Sequence, residues 1–360
     1  MKKLLWLGFY LLISLNFFSS QNKHPYKLVA YYTGDSATLA KYDFSRITHL
    51  IYSFGKINSE GYFGFSRLRD VQTISQLGAL KKKYPHLKTM IALGGWGGCE
   101  LCSPAFADPV KRQNFIKSTK ELLIKYQLDG IDLDWEYPTV EGFPGHPYHL
   151  SDRENFTSLI SGLRAEMPKH ILTFAAGGYT EYLEKAIDWK AVLPMVDFVN
   201  VMSYDLVGGF SKQTGHMTGL YSSNEAAESA DRDIRYFEKN KLPLNKIVLG
   251  AAFYTRSWKN VENINHGLFQ PGEFFRFLDY NKAQNIFTKE SGYQYYWDEK
   301  AQAGYWYNEK DRIFAAGDDV HSLKAKSQYV KSKKLGGLMF WELLYDREDE
   351  RLLEAIDLNR

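Results

Sequence analysis

Apolar and polar residues follow one another in blocks along this chain of 360 residues. Eight short runs rich in Val, Ile, Leu, Phe and Tyr are separated by longer stretches with apolar positions at helical spacing. Short apolar runs of this kind are typical of buried strands, and the longer stretches are typical of amphipathic helices. The predicted strands are 27–33, 47–54, 88–95, 128–136, 171–177, 197–204, 247–254 and 336–342. The predicted helices include 70–84, 108–126, 151–167, 224–240 and 321–334.

Strands that alternate with helices predict an α/β fold with a parallel sheet. Eight strands close a TIM (β/α)8 barrel, whose active site lies at the carboxyl ends of the strands, and one such domain fits this length. A doubly wound open sheet is the alternative. It requires a glycine-rich phosphate loop after the first strand, and the segment Tyr32-Thr33-Gly34-Asp35-Ser36 is not one.

The region 257–316 breaks this alternation between the seventh and eighth predicted strands. It is rich in tyrosine and tryptophan, as in Tyr293-Gln-Tyr-Tyr-Trp-Asp298. We interpret it as a small α+β insertion with short antiparallel strands. No linker rich in Pro, Ser or Gly is visible, so residues 21–360 are predicted to form one domain with this insertion.

The first twenty residues have the pattern of a signal peptide. Lys2 and Lys3 precede an apolar run from 4 to 18, which is short for a membrane span of about 20 residues. A single membrane anchor is the alternative. Loss of residues 1–20 lowers the formal charge from +3 to +1. We therefore expect a secreted or periplasmic monomer with no nucleic-acid partner and no membrane contact after cleavage.

The strongest chemical signal is the segment Leu128-Asp-Gly-Ile-Asp-Leu-Asp-Trp-Glu-Tyr-Pro138. Because side chains alternate along a strand, Asp132, Asp134 and Glu136 should share one face, with large apolar residues on the other. Three carboxylates on one inward face raise one another's pKa values. We expect Asp132 and Asp134 to share a proton and Glu136 to be protonated often enough to donate one.

Two other interpretations of the acidic segment remain open. It could be a solvated acidic edge strand, although its large apolar residues disfavour this. Three acids could also hold Mg²⁺ or Ca²⁺. The two cysteines, Cys99 and Cys102, have no matching pair for zinc, and in an exported protein a local disulfide is the favoured interpretation.

On these residues the chain resembles the chitinases of glycoside hydrolase family 18. Asp129-Gly-Ile-Asp-Leu-Asp-Trp-Glu136 fits the family signature at every defined position, and the resemblance covers essentially the whole mature chain. Weaker matches follow in the family's order along the chain. They are Val29-Ala-Tyr-Tyr32, Leu93-Gly-Gly-Trp96, Met202-Ser-Tyr-Asp205, Phe253-Tyr-Thr-Arg256 and Gly337-Leu-Met-Phe-Trp341.

The resemblance implies an enzyme that cleaves chitin or N-acetylglucosamine oligosaccharides and needs no cofactor or metal. Glu136 would be the general acid and base, and the nucleophile would be the N-acetyl oxygen of the substrate, as is known for this family. Asp134 would accept the acetamido N–H, and Asp132 would tune Asp134. Tyr204 would hold the acetamido oxygen, and Trp341 would form the floor under the sugar.

The resemblance also assigns further residues to the cleft. They are Tyr31, Phe54, Trp96, Tyr137, Met202, Asp205, Tyr254 and Arg256. Phe54, Met202 and Tyr254 could instead be core residues, and Asp205 could be a structural partner. Strand alternation turns Glu342 away from the cleft, so it is left out. Ala92 departs from the family, which commonly has serine there to support the buried aspartates.

Two other functions remain open from the sequence. A non-catalytic chitin-binding lectin on the same barrel would usually lack the acid at Glu136. A related hydrolase could act on the chitobiose core of N-glycans or on peptidoglycan. Members that act on N-glycans tend to lack the aromatic insertion, which favours the chitinase.

Overall fold

A computed structural model describes residues 26–346 and 351–358. The predicted signal peptide, residues 1–20, lies outside these described residues. The strands are β1 (Lys27–Tyr32), β2 (His49–Ile57), β3 (Phe63–Gly64), β4 (Lys88–Gly94), β5 (Gly130–Asp134), β6 (Ile171–Gly177), β7 (Phe198–Met202), β8 (Ile247–Ala252), β9 (Tyr254–Lys259), β10 (Glu273–Asp279), β11 (Tyr293–Asp298), β12 (Ala303–Asn308), β13 (Ile313–Gly317) and β14 (Gly337–Trp341).

Eight of these strands form a closed parallel barrel. Their order is β1-β14-β8-β7-β6-β5-β4-β2, and β2 pairs again with β1. All eight pairings are parallel, and helices lie between successive strands along the chain. The predicted TIM barrel is therefore confirmed, and the open doubly wound sheet is excluded. The short strand β3 only extends β2 as an antiparallel hairpin.

Most of the helices lie around the outside of the barrel, and the helix Tyr280–Ile286 lies in the insertion. The helices are α1 (Ser36–Leu39), α2 (Leu68–Lys83), α3 (Cys102–Ala107), α4 (Pro109–Lys125), α5 (Asp152–Glu166), α6 (Thr180–Lys185), α7 (Trp189–Val192), α8 (Ala230–Lys239), α9 (Tyr280–Ile286), α10 (Val320–Lys333) and α11 (Leu352–Ala355). Asp108 begins α4 as predicted, because its carboxylate accepts the backbone N–H groups of Val110 and Lys111. No described helix is both long and apolar enough to cross a bilayer.

The predicted helix 224–240 begins six residues too early. α8 begins at Ala230, and residues 224–229 belong to the loop before it. Ser229 is extended, and its hydroxyl accepts the backbone N–H of Arg232, which satisfies a donor of the first turn. Polar residues at 222–225 continue the helical pattern in the sequence but lie before this cap.

The insertion between the seventh and eighth barrel strands is a five-stranded antiparallel sheet of order β10-β9-β13-β12-β11. Helix α9 packs on it, so the insertion is α+β as predicted. The sheet begins at Tyr254 and ends at Gly317, directly after β8 and before α10. Tyr254, Arg256 and Trp258 alternate towards one face of β9, which carries them from the barrel rim into the insertion.

The core has two layers on either side of the barrel wall. Ile131, Leu133 and Trp135 belong to the large apolar cluster between the strands and the helices. A smaller cluster fills the barrel interior, and it includes Tyr31 and Met202. The alternation of the acidic segment therefore sends its apolar residues outward to the helices, and its carboxylates point the other way, into the barrel.

Candidate active site

The three acids of the predicted face climb towards the mouth of the barrel. β5 ends at Asp134, and Glu136 lies two residues beyond it. The exposed fraction rises from 0% at Asp132 to 4% at Asp134 and 9% at Glu136. All three are therefore buried, and the outermost carboxyl lies closest to solvent.

Asp132 is held deep in the barrel by three donors from three other strands. Tyr31 donates its hydroxyl to Oδ2 at 2.9 Å, and Asn200 donates its amide to Oδ1 at 3.1 Å. The hydroxyl of Thr173 also donates to Oδ1. Burial raises the pKa of Asp132 to about 6, and these hydrogen bonds oppose the rise because they stabilise the charged form.

Sequence reasoning missed two of these donors, Thr173 and Asn200. In register, Asp132 lies between Ala92 on β4 and Thr173 on β6. Ala92 on β4 has no hydroxyl to donate to Asp132, as expected. Thr173 on β6, the neighbouring strand on the other side, donates one instead. The signal was present in the sequence, because both residues are polar within otherwise apolar strands.

Asp134 lies between the carboxyls of Asp132 and Glu136 and interacts with both, so the expected sharing of a proton between Asp132 and Asp134 stays a prediction. Burial raises the pKa of Asp134 well above its usual value, and the charges of Glu136 and then Asp132 add to the rise. Both oxygens of Asp132 are occupied by other donors. The Oδ1 atom of Asp134 is buried and has no protein partner. The Oδ1 atom of Asp134 is therefore a hydrogen-bond acceptor that lies near Glu136 and has no donor from the protein.

Glu136 combines the properties of a proton donor near neutral pH. Burial raises its pKa to about 7, and a hydrogen bond from Tyr137 opposes this rise. Tyr137 itself lies in an aromatic group, with its ring centroid 5.3 Å from that of Tyr182 and 5.7 Å from that of Tyr179. Tyr137 therefore lies next to Glu136, and its ring centroid is 6.5 Å from that of Trp96.

Tyr204 lies just beyond the end of β7 and keeps its proton. Burial raises the pKa of its hydroxyl well above the ordinary value, and the carboxyls of Asp134 and Glu136 add to this. Its hydroxyl contacts the sulfur of Met339 at 3.8 Å. A protonated phenol near two carboxyls can donate a hydrogen bond to a substrate oxygen.

Aromatic rings form the floor next to these groups. Trp341 stacks on Phe54 with ring centroids 5.5 Å apart, and Tyr31 lies 5.7 Å from the same indole. Met202 is 8% exposed inside the barrel, which agrees with its alternative interpretation as a core residue. Glu342 points away from these groups. Its carboxylate accepts hydrogen bonds from the backbone N–H of Thr33 at 2.8 Å and from the hydroxyl of Thr33 at 2.7 Å.

Asp205 and Arg256 form a bidentate ion pair at the junction of barrel and insertion. Arg256 donates Nε to Oδ1 at 2.6 Å and a terminal nitrogen to Oδ2 at 2.7 Å. The guanidinium lies 5.7 Å from the ring centroid of Tyr254, which is itself 2% exposed. The pair holds the rim of β7 against the first strand of the insertion.

A glycine-rich loop after β4 lies against the acidic segment. Gly94 has φ +98°, and a Cβ there would lie 2.2 Å from the carbonyl oxygen of Asp134. Gly95 donates its N–H to the same oxygen at 2.8 Å. Cys99 and Cys102 are joined by a disulfide that ends this loop, and the loop presents Trp96 with half of its surface exposed. No cluster suited to a metal ion occurs among the residues that the structure describes.

Residues 27–346 match the family described as Glycosyl hydrolases family 18. The chain belongs to this family. The match spans the barrel and the insertion, so the resemblance drawn from the acidic segment is confirmed for nearly all described residues. The acids, Tyr204 and Trp341 thus form the candidate active site of a family 18 glycosyl hydrolase.

Curated relatives and solved structures agree with this assignment. Chitinase A1 of Niallia circulans is 32% identical over 303 residues, which cover 76% of this chain and 43% of that protein. Chitinase ChiA74 of Bacillus thuringiensis matches with a TM-score of 0.85 and 28% identity over 92% of this chain and 69% of that one. A family 18 N-acetylglucosaminidase of Paenibacillus barengoltzii matches with a TM-score of 0.83 and 32% identity, covering 92% and 98% of the two chains.

Proposed function

We propose that this family 18 member is an exported chitinase that hydrolyses β-1,4-linked N-acetylglucosamine polymers. The observation that carries the proposal is the open, buried Oδ1 atom of Asp134 beside Glu136. An acceptor without a protein partner at such a depth fits a donor supplied by the substrate, and an acetamido N–H is such a donor. The chitinase names of several relatives support the same polymer.

The acetamido oxygen of the bound sugar attacks its own anomeric carbon as the glycosidic bond breaks. The proton of Glu136 passes to the leaving oxygen, and Asp134 accepts the acetamido N–H. Tyr204 donates its hydroxyl to the acetamido group and keeps it in line, which is a positioning effect. Water then attacks the anomeric carbon, gives a proton back to Glu136 and releases the sugar with the β configuration retained.

The rings around the acids bind the sugar. Trp341, stacked on Phe54, provides a flat apolar surface for the C–H face of the sugar at the cleavage point. Trp96 is half exposed at the tip of the glycine-rich loop, where it can contact a neighbouring sugar. The remaining cleft residues, Tyr31, Asp205, Tyr254 and Arg256, shape the wall through the contacts described above.

Export is the second part of the proposal. The apolar run from 4 to 18 after Lys2 and Lys3 supports cleavage near residue 20 and a secreted or periplasmic monomer. The disulfide between Cys99 and Cys102 agrees with an oxidising compartment. N-terminal sequencing of protein collected from the producing cells tests this, and an intact N-terminus on soluble intracellular protein contradicts it.

Incubation with chitohexaose tests the proposed activity. We expect cleavage products whose new reducing ends are initially in the β configuration. Mass spectrometry identifies the products, and anomer analysis determines their configuration. Release of single N-acetylglucosamine units only would favour the activity named for the Paenibacillus barengoltzii relative. Products of the α configuration rule out acetamido participation, and binding to chitin without any turnover favours the lectin. Release of glycans from a glycoprotein, without chitohexaose cleavage, favours the N-glycan hydrolase.

Thr173 offers a prediction on the pH dependence of this activity. Replacement by valine removes one donor to the Asp132 carboxylate, so the pKa of Asp132 rises further. A hydrogen bond to a charged group is worth about 1.5–3 kcal/mol, and a pKa unit corresponds to about 1.4 kcal/mol. We expect the acid limb of kcat/KM to move up by about one pH unit. Thr173→Ser keeps the hydroxyl and should restore the wild-type profile, whereas equal profiles for valine and wild type contradict the role of this donor.

A further inference from the structure

Asp233 on α8 is a buried carboxyl that the proposed mechanism does not use. None of its surface is open to solvent. Neither of its oxygens has a donor in good hydrogen-bond geometry among the residues that the structure describes. Buried polar groups are almost always paired, because an unpaired one lowers the free energy of unfolding. A carboxyl at this position therefore needs an explanation other than stability.

The carboxyl of Asp233 lies behind the ends of β6 and β7, where these strands reach the barrel mouth. Gly178 directly follows β6, and Met202 is the last residue of β7. A Cβ on Gly178 would lie 2.9 Å from Oδ2 of Asp233 and 2.4 Å from the carbonyl oxygen of Met202. Because Gly178 has no side chain, the carboxyl can approach the backbone of both strands.

Ser203 connects Asp233 to the candidate active site. Met202 and Tyr204, on either side of Ser203, both contact the apolar cluster inside the barrel. Because side chains alternate along an extended chain, Ser203 points the other way, towards α8. Ser203 is fully buried, and its hydroxyl interacts with the carboxyl of Asp233. The residue that contacts Asp233 is thus the direct neighbour of Tyr204 in the chain.

The surroundings of Asp233 favour its uncharged form. Burial raises its pKa well above the usual value, and the charge of Glu228 adds to the rise. A weak hydrogen bond from Ser203 and the charge of Arg232 oppose it. A protonated carboxyl can accept one hydrogen bond and donate another. It can therefore accept from Ser203 and donate to a backbone carbonyl without placing a charge behind the barrel mouth.

The backbone of Ser203 is also held from a second side. Its carbonyl oxygen accepts the hydroxyl of Thr218 at 3.1 Å. Thr218 in turn is hydrogen-bonded to Lys326 and to Asp318, which are both fully buried. Ser203 is therefore fixed at its carbonyl by this group and at its side chain by α8. These two contacts determine the point from which Tyr204 extends towards the acids.

We propose that Asp233 is a positioning residue, which acts through Ser203 to hold the hydroxyl of Tyr204 in line with the acetamido group of the substrate. This inference rests on the proposed chitinase activity and adds a residue to it. A small displacement of Tyr204 leaves the contacts of the sugar with Trp341 and Phe54 intact, so it should lower kcat and leave KM nearly unchanged. The poorly paired carboxyl then lowers stability in exchange for activity.

The test measures kinetics and thermal stability of the full-length mature protein and its variants. Asp233→Leu keeps the branched shape of the side chain and removes its polar atoms. For this variant we expect kcat on a chromogenic chitobioside to fall about tenfold with KM within about twofold of wild type. Its Tm should equal or exceed that of wild type, because an unpaired buried carboxyl is removed. Asp233→Asn keeps a neutral donor and acceptor, so its kcat should stay within about threefold of wild type.

Two further variants separate this role from a structural one. Asp231→Leu is the matched control on the same helix, because its carboxylate accepts the hydroxyl of Tyr329 at 2.8 Å and pairs with Arg235 at 2.6 Å. It should lower Tm and leave kcat unchanged. Ser203→Ala tests the connection to the active site. Alone or combined with Asp233→Leu, it should lower kcat by about the same factor, because residues that act as one unit are not additive.

Each other outcome overturns the proposal. A wild-type kcat in Asp233→Leu removes the role of Asp233, and a Tm that falls together with kcat makes that role structural. Losses that multiply in the double variant show that Asp233 does not act through Ser203. A kcat in Asp233→Asn as low as in Asp233→Leu excludes the neutral acid as the active form. Failure of the wild type to cleave the chitobioside refutes the proposed function itself, whereas the first four results leave that function standing.

Discussion

Replacing Glu136 by glutamine is expected to lower kcat by about 10²- to 10⁴-fold, the usual contribution of a positioned proton donor. Glutamine has nearly the same shape but no proton to give to the leaving oxygen. The measurement is hydrolysis of a chromogenic chitobioside and of chitohexaose by the purified variant. The matched control is Glu141→Gln, which changes an exposed carboxylate five residues further along the chain and should leave kcat unchanged.

The pH dependence of the wild type follows from the same residue. Glu136 must be protonated to act as the acid, and burial raises its pKa to about 7. Activity should therefore fall as the pH rises through about 7, because the donor loses its proton there, and the acid limb predicted for Asp132 lies at lower pH. The basic limb of kcat/KM measures this. A wild-type rate in Glu136→Gln, or a basic limb centred far above pH 7, contradicts the assignment of Glu136.

The barrel could be predicted from the sequence because each of its strands is a short apolar run with a clear end. The prediction for 171–177 coincides with β6, and the others differ from the structure by a few residues at their ends. The largest error was at α8, where the cap at Ser229 decides the start of the helix. Short helices such as α6 and α7 carry too few turns for their periodicity to be visible in the sequence.

The candidate site was less completely predictable, because its details depend on contacts between strands distant in the sequence. The alternation of the acidic segment correctly separated carboxylates from apolar residues. It could not indicate that Asp132 is supported by Thr173 and Asn200, which lie 41 and 68 residues away. The expected proton sharing between Asp132 and Asp134 stays a prediction, because it depends on contacts that the order of residues along the strand does not give.

A buried charge pair at the base of the insertion leads to the prediction with the largest effect on stability. Lys326 on α10 binds Asp318 at 2.7 Å, and neither side chain is exposed. Asp318 directly follows β13, and its Oδ2 also accepts the N–H of Ala252 at the end of β8. Burial lowers the pKa of Lys326, while the charge of Asp318 opposes this. The pair thus fastens the end of the insertion to the barrel.

Lys326→Met keeps most of the side-chain volume but leaves the carboxylate of Asp318 buried without its counter-charge. Removing one partner of a buried pair costs about 3–5 kcal/mol of unfolding free energy. In a chain of this size the loss corresponds to a decrease in Tm of about 4–7 °C. Scanning calorimetry measures it, with urea unfolding as a second measurement.

Two control variants separate the buried charge from other effects of the substitution. Lys333→Ala removes a lysine of the same helix whose partner Glu238 is 2.8 Å away, but both side chains are about one-third exposed. Such a surface pair contributes about 0–1 kcal/mol, so Tm should change little. Adding Asp318→Asn to Lys326→Met removes the uncompensated charge and should recover part of the lost stability. If both lysine variants have the same Tm, the buried pair does not stabilise the attachment of the insertion. If the double variant is no more stable than Lys326→Met, the loss comes from packing and not from the uncompensated charge of Asp318, because the neutral amide would otherwise recover stability.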